Sequence, residues 1–327
     1  MSSRRSFLQQ VSLASAGLIA GRHKLFASEL PRSLFSGKPV GLQLYTLRDE
    51  IGKDVKGTIA KVADIGFDYV ETFFGYSKAG DKTDYWGLDA KSFRSLLDEH
   101  HLKTHSGHYL LNDFLTRGNG NDEALKVQAE LAATLGQTRV VAPVPPFMSI
   151  DKMTKADYQF IAAQLNKGGE LCKKMNIKLG YHNHFWEFRK LEDGISGYET
   201  MLKETDPSLV DFEMDLFWVV KSGEDPVQWI NKYPGRFTMW HVKDIDKSHP
   251  EKIVGGDLDK QPVMNVVKDV KFANVGTGVV DFKRIFAHAH TAGLKYYFVE
   301  QDKIDQSDKF ASVKESYSYI QKNLTAS

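Results

Sequence analysis

Residues 155–184 read KADYQFIAAQLNKGGELCKKMNIKLGYHNH, and this stretch decides the fold. From Lys155 to Met175 the apolar residues recur at helical spacing. Asn176 then stands where a helix needs a left-handed stop, and Ile177 to His182 switches to a short β-rich run. That run finishes in the polar cluster Tyr181-His182-Asn183-His184. A helix, a cap and a strand ending in reactive side chains make one repeat of an alternating α/β chain.

Working outward, the same unit recurs. Further strand-like runs are Val40-Tyr45, Phe67-Phe73, Lys103-His108, Thr138-Pro143, Leu209-Asp215, Phe237-Val242 and Tyr296-Glu300. Amphipathic stretches lie between them at Val55-Ile65, Ala90-His100 and Asp122-Leu135, and Gly66, Gly136 and Gly293 repeat the capping signal of Asn176. Eight strand–helix units with no linker rich in Pro, Gly or Ser predict an α/β fold, a (β/α)8 TIM barrel forming a single domain over 38–325. The alternative is a doubly wound open sheet. It is weakened because no G-x-G-x-x-G follows Gly41-Leu42-Gln43. Two connections are long: Asn112 to Asn121, and Asp246 to Asp281, which contains Gly276-Thr277-Gly278 and reads as a lid.

The bulk composition agrees with a full-sized core, with 42% hydrophobic and 26% charged residues among 327. Lys plus Arg number 43 against 42 for Asp plus Glu, so the total charge argues against a nucleic-acid partner. The one cysteine, Cys172, excludes an internal disulfide and a cysteine metal cluster, and its helical setting reads as a packed thiol. At the N-terminus, Ser3-Arg4-Arg5-Ser6-Phe7-Leu8-Gln9 followed by the apolar run Val11 to Ala20 reads as a twin-arginine signal peptide over 1–30, cleaved near Ala27. The run is shorter than the roughly 20 residues that span a bilayer, so the expectation is a periplasmic protein without a stable membrane anchor. A homo-oligomer is left open.

In such a barrel the C-terminal ends of the strands meet at one mouth. Those ends offer Gln43, Tyr45 and Arg48; Glu71; His105 and His108; Tyr181-His182-Asn183-His184 with Glu187; Glu213, Asp215 and Trp218; His241-Val242-Lys243-Asp244; and Glu300-Gln301-Asp302. Any one of these alone reads best as a satisfied core group. Four successive strands each ending in a carboxylate or imidazole do not, because unpaired buried charge is costly. Mixed imidazole and carboxylate donors without thiolates suit manganese, zinc, cobalt or iron rather than a structural zinc site.

These pieces resemble the xylose-isomerase-like barrel superfamily of sugar phosphate isomerases and epimerases, inosose dehydratases and hydroxypyruvate isomerases. The resemblance is carried by Tyr181-His182-Asn183-His184 with Glu187-Phe188, Asp215-Leu216-Phe217-Trp218, His241-Val242-Lys243-Asp244, Val275-Gly276-Thr277-Gly278 with Asp281-Phe282, and Val299-Glu300. It implies one divalent metal ion held from the fifth to eighth strands, usually by Glu, Asp, His and Glu. Carried over, the ligands are His182, Asp215, His241 and Glu300, with His184 competing for the first place. His182 departs from the usual Glu, and Trp218 from a common His. The metal expected is manganese, with zinc, cobalt, iron or magnesium as alternatives.

The implied activity is isomerisation or epimerisation of a sugar by proton abstraction next to a carbonyl, through a metal-stabilised enediolate. Glu300 is the first candidate for the base and Glu187 the second. His108, His184, Trp218, Lys243 and Arg48 are the expected substrate contacts. One alternative is a lyase acting on a 3-keto-glycoside, or an inosose-type dehydratase. The alternative of another class is a barrel that binds carbohydrate without catalysis.

Overall fold

The computed structural model describes residues 39–73, 85–118 and 122–325, and the export signal read at residues 1–30 lies outside them. Ten strands occur among the described residues: β1 (Gly41–Gln43), β2 (Tyr69–Phe73), β3 (Lys103–His108), β4 (Arg139–Ala142), β5 (Lys178–His182), β6 (Val210–Asp215), β7 (Met239–Val242), β8 (Asp244–Ile245), β9 (Phe272–Ala273) and β10 (Tyr296–Val299). Eight of them close a parallel barrel in the order β1-β2-β3-β4-β5-β6-β7-β10 and back to β1. Closure is made by Gly41 opposite Phe298 and Leu42 opposite Val299. That pairing removes the open-sheet alternative, whose edges would stay unpaired.

Local chemistry sets the element ends as the sequence leads one to expect. The helices Val55–Ile65, Ala90–Glu99 and Lys155–Lys173 start at Asp54, Asp89 and Thr154, each of which accepts a backbone N–H of the first turn. Gly66, Gly136, Asn176 and Gly293 all take positive φ at the stops.

Strand periodicity of two splits the core. Val70, Phe212, Trp240, Val242, Tyr297 and Val299 join the large apolar layer in which Leu97, Leu165, Ile230 and Phe286 from the helices also take part. The opposite faces of the strands place Tyr69, Val141, Met239 and Phe298 in a separate small cluster that plugs the barrel interior. Gly41 has no room for a side chain there, since a Cβ would fall 2.2 Å from the Tyr69 ring and 2.7 Å from that of Phe298. Under the same seam the Tyr69 hydroxyl accepts from the Tyr297 N–H at 3.1 Å and donates to the Tyr297 carbonyl at 3.0 Å. Cys172 is buried, and burial pushes its thiol up to about 12, which fits a packed group.

The connection after β7 is not the lid that its length suggests. Asp244–Ile245 and Phe272–Ala273 pair as a two-stranded antiparallel sheet, and a short helix, Val263–Val267, lies between them. Arg189 Nη2 donates to the Gln261 carbonyl at 3.0 Å, and Phe272 stacks on Phe217, so the excursion is pinned to neighbouring loops. The Asp244 carboxylate receives the N–H groups of Gly276, Gly278 and Val280 at 2.8, 2.9 and 3.1 Å. Gly278 is dictated by this clamp, since a Cβ would meet the Ile245 carbonyl at 2.1 Å.

Candidate active site

Above the apolar plug, the inward parity of each strand delivers the polar groups. Glu71 follows Tyr69, His241 follows Met239 and Glu300 follows Phe298, each two residues on; Lys243 comes two beyond His241, and Glu213 leads to Asp215. The result is a fully buried network. Glu213 Oε2 lies 2.7 Å from His108 Nε2, 3.0 Å from His182 Nδ1 and 3.2 Å from His241 Nε2. Glu71 Oε2 lies 2.6 Å from His241 Nε2, and its carboxylate also accepts from Gln43 Nε2 at 2.8 Å and Ser106 Oγ at 2.5 Å.

Nearer the mouth, His241 Nδ1 is 2.5 Å from Glu300 Oε2, and His182 Nε2 is 3.5 Å from Asp215 Oδ2. Lys243 Nζ sits among three carboxylates, 2.6 Å from Glu300, 2.9 Å from Asp215 and 2.8 Å from Asp302. A cavity of about 460 Å³ opens onto this floor. His108, His182, His184, Lys243, Glu300 and Asp302 make its polar side; Tyr45, Phe73, Leu110, Pro143 and Val144 make its apolar wall.

The motif at the end of β5 explains itself residue by residue. Tyr181 donates its hydroxyl to Glu187 at 2.7 Å, His182 enters the network, and the Asn183 carboxamide oxygen accepts the Asp215 N–H at 3.1 Å. His184 lines the cavity, stacked 4.3 Å from Trp186, while its own N–H goes to Glu187 at 2.8 Å. Asp215 is aimed by its second job: Oδ1 caps the helix Leu216–Lys221 by accepting the Trp218 N–H at 3.1 Å, which leaves Oδ2 for the site.

Charge is the organising problem here. Glu71, Glu213, Asp215, Glu300 and Asp302 converge on one lysine and three imidazoles. Burial raises the Asp215 carboxyl to about 6 even against Lys243 and His241. Burial acts the same way on Glu300, but there Lys243 and His241 win and hold it well below the carboxylate range. Burial, with the His241 charge added, drops His182 to about 3, so its imidazole is neutral and free to ligate. His241 is held protonated, well above its usual value, because the carboxylates of Glu213 and Glu300 outweigh its desolvation.

A cation fits this arrangement. Asp215, His241 and Glu300 offer donor atoms within 4.8 Å of one another, as do His108, His182, Glu213 and His241. Glu213 Oε1 is buried without a hydrogen-bond partner, and hard and borderline donors alone are present. The network therefore supplies the donor types and the negative excess that a divalent ion needs.

Sequence comparison fits the same picture. The model of the xylose isomerase-like TIM barrel matches residues 59–322. The chain belongs to that family. Among its relatives is an inosose dehydratase from Clostridium tetani, 34% identical over 145 residues, which are 43% of this chain and 46% of that one. The chain thus spans about half the length of the curated relatives it matches. A sugar phosphate isomerase/epimerase from Parabacteroides distasonis superposes with a TM-score of 0.71 at 26% identity, over 94% of this chain and all of that one. The IolI protein, crystallised with a zinc atom, shares the fold at a TM-score of 0.65 and 13% identity, over 88% of this chain and 98% of that one.

Of the residues singled out from sequence, His108, His182, His184, Lys243 and Glu300 line the cavity, with Asp215 and His241 in ion-pair contact beneath them. Three lie elsewhere. Glu187 has both oxygens engaged, by Tyr181 and by the His184 N–H, and does not line the cavity; burial raises it to about 7. Arg48 lies over the Tyr45 ring at 4.4 Å and donates to the Tyr45 carbonyl. Trp218 is buried behind Lys243, whose Nζ is 5.8 Å from its ring. Glu71, Glu213 and Asp302 stood at strand ends in the sequence without an assigned role. The signal that finds Glu213 and Glu71 is inward parity with Asp215 and Tyr69.

Proposed function

We propose that this protein is a metal-dependent enzyme of small sugars that abstracts a proton next to a carbonyl. The observation carrying this reading is the floor of carboxylates, imidazoles and one lysine opening onto a cavity large enough for a sugar. The ion would be held by His182, Asp215, His241 and Glu300, and when bound it would polarise a carbonyl and adjacent hydroxyl and favour the enediolate.

The chain's own groups do the rest. Glu300 faces the cavity as an ionised carboxylate and takes the proton; Asp302, also on the lining, is the second carboxylate in reach in place of Glu187. Lys243 presents its ammonium between them and hydrogen-bonds the developing oxyanion. His108 and His184 meet hydroxyl groups, while Tyr45 and Phe73 pack on the C–H face of the sugar and keep water out. Return of the proton to another carbon or face gives isomerisation or epimerisation. Loss of a β-substituent gives elimination, and the inosose dehydratases among the relatives favour that branch.

The test is to load the protein with manganese and incubate it in heavy water with keto-sugars, inososes and 3-keto-glycosides. Solvent deuterium next to the carbonyl is expected, and a released water or aglycone selects the lyase. Sugar binding without exchange, unchanged by chelator, would instead mark a non-catalytic barrel. Export through the N-terminal twin-arginine segment is part of the proposal, and the periplasmic fraction of the native host is where the protein is expected.

A further inference from the structure

We propose that Glu213 and Glu71 are positioning residues that choose which ring nitrogen of His182 and His241 faces the cavity. This rests on the metal reading above. A carboxylate ligand such as the usual fifth-strand Glu has two equivalent oxygens. An imidazole has two different nitrogens and must be told which one to offer. Placing His182 at that position therefore creates a requirement that a Glu does not have.

The barrel interior meets it. His182 turns Nδ1 to Glu213 Oε2 at 3.0 Å and leaves Nε2 on the side of Asp215. His241 turns Nε2 to Glu71 Oε2 at 2.6 Å, with Glu213 Oε2 behind it at 3.2 Å, and leaves Nδ1 on the side of Glu300. The Glu213 carboxylate only accepts, so His182 Nδ1 keeps its hydrogen and Nε2 is the nitrogen given to a metal. His241 meets a carboxylate from each nitrogen, Glu71 at Nε2 and Glu300 at Nδ1, and it is on the Glu300 side, toward the cavity, that an ion would take the place of the hydrogen. The two carboxylates are themselves held. Gln43 and Ser106 donate to Glu71, and His108 Nε2 donates to Glu213 at 2.7 Å while lying 3.5 Å from Glu71. Every one of these groups is buried.

The same atoms allow an opposite arrangement, in which an ion sits on the inner side, bound by His108, His182, Glu213 and His241 directly. Both sets of atoms are paired at hydrogen-bond distances, but Glu213 and His241 of the inner set lie off the cavity lining, whereas His182 and Glu300 of the outer set open to the cavity where substrate arrives. The outer position is the one we assign.

The two arrangements put opposite nitrogens on the metal, and that can be read without turnover. In zinc-loaded protein carrying nitrogen-15 histidine, long-range proton–nitrogen correlation is expected to show His182 bound through Nε2 with hydrogen on Nδ1. His241 is expected bound through Nδ1 with hydrogen on Nε2. Zinc affinity, measured by chelator competition, should fall about 10- to 100-fold in Glu213→Gln and in Glu71→Gln. The His182 pattern should change only in the former and the His241 pattern chiefly in the latter. His182 bound through Nδ1, or zinc affinity untouched by both substitutions, overturns the assignment. The wild-type spectrum decides alone should either variant fail to fold.

Discussion

Lys243→Met tests the charge logic of the site. In the metal-free protein Lys243 is the cation shared by Asp215, Glu300 and Asp302, at 2.9, 2.6 and 2.8 Å, and it is itself 1% exposed. Methionine keeps the length and removes the charge. Breaking a buried ion pair from one side costs about 3–5 kcal/mol, because the partners stay behind uncompensated. For a barrel of about 290 residues the unfolding entropy is roughly 0.6 kcal/mol/K, so the variant should melt about 5–8 °C below the parent. The informative comparison is the same melt with zinc. A divalent ion on Asp215 and Glu300 replaces the missing charge, so most of the deficit should vanish at saturating zinc, and zinc should bind the variant at least as tightly as the parent. Calorimetric melts with chelator and with zinc read both quantities. A variant as stable as the parent without metal, or an equal deficit with and without zinc, would refute the reasoning.

Two further substitutions probe the surroundings. Burial raises the Glu187 carboxyl from 4.5 to about 7, so the folded state favours its protonated form. The associated stability is present below pH 4.5 and is lost as pH rises through 7, by about 3 kcal/mol in all. Glu187→Gln should flatten this decline in denaturant titrations run from pH 5 to 8, and an unchanged slope would show that burial does not govern the group. Gly278→Ala would place a Cβ against the Ile245 carbonyl and the Asp244 carboxylate. It should cost about 1–3 kcal/mol by overpacking, seen as a lowered Tm, and a neutral outcome would mean that Asp244 does not clamp this loop.

The barrel was legible because its signals are local and repeated. Asn176 and the three glycines stop helices wherever a strand must begin, and strand residues alternate between helix-facing apolar groups and the interior. At the site, strand ends with one strong chemical type, such as His182, Asp215, His241 and Glu300, were also readable. What was hidden depends on direction rather than sequence position. Glu187 follows the fifth strand closely enough to look catalytic, yet the 3-10 turn Trp186–Phe188 points it back at Tyr181 and the His184 N–H. Glu213 is the reverse case: its strand-end position alone assigns it no role, but it stands two residues below Asp215, and parity sends it into the same network. The connection after β7 looked like a lid because its polar composition conceals the β8–β9 pairing and the Asp244 clamp, both of which join residues about 30 apart.

The closing seam has a consequence for when this protein becomes competent. β1 is three residues long and sits between β2 and β10, with Tyr69 tied to Tyr297 across a separation of 228 residues. Contacts this distant along the chain form late, since the intervening loop must be closed before they return anything. β10 is also the strand that delivers Glu300. The Glu300 carboxylate and the closing pairing of the barrel therefore arrive in one event. A chain still emerging from the ribosome holds His182, Asp215 and His241 but not the circle that brings Glu300 to them. On the proposed ligand set, ion capture and completion of the fold would be coupled steps, and chains lacking β10 would be poor competitors for metal.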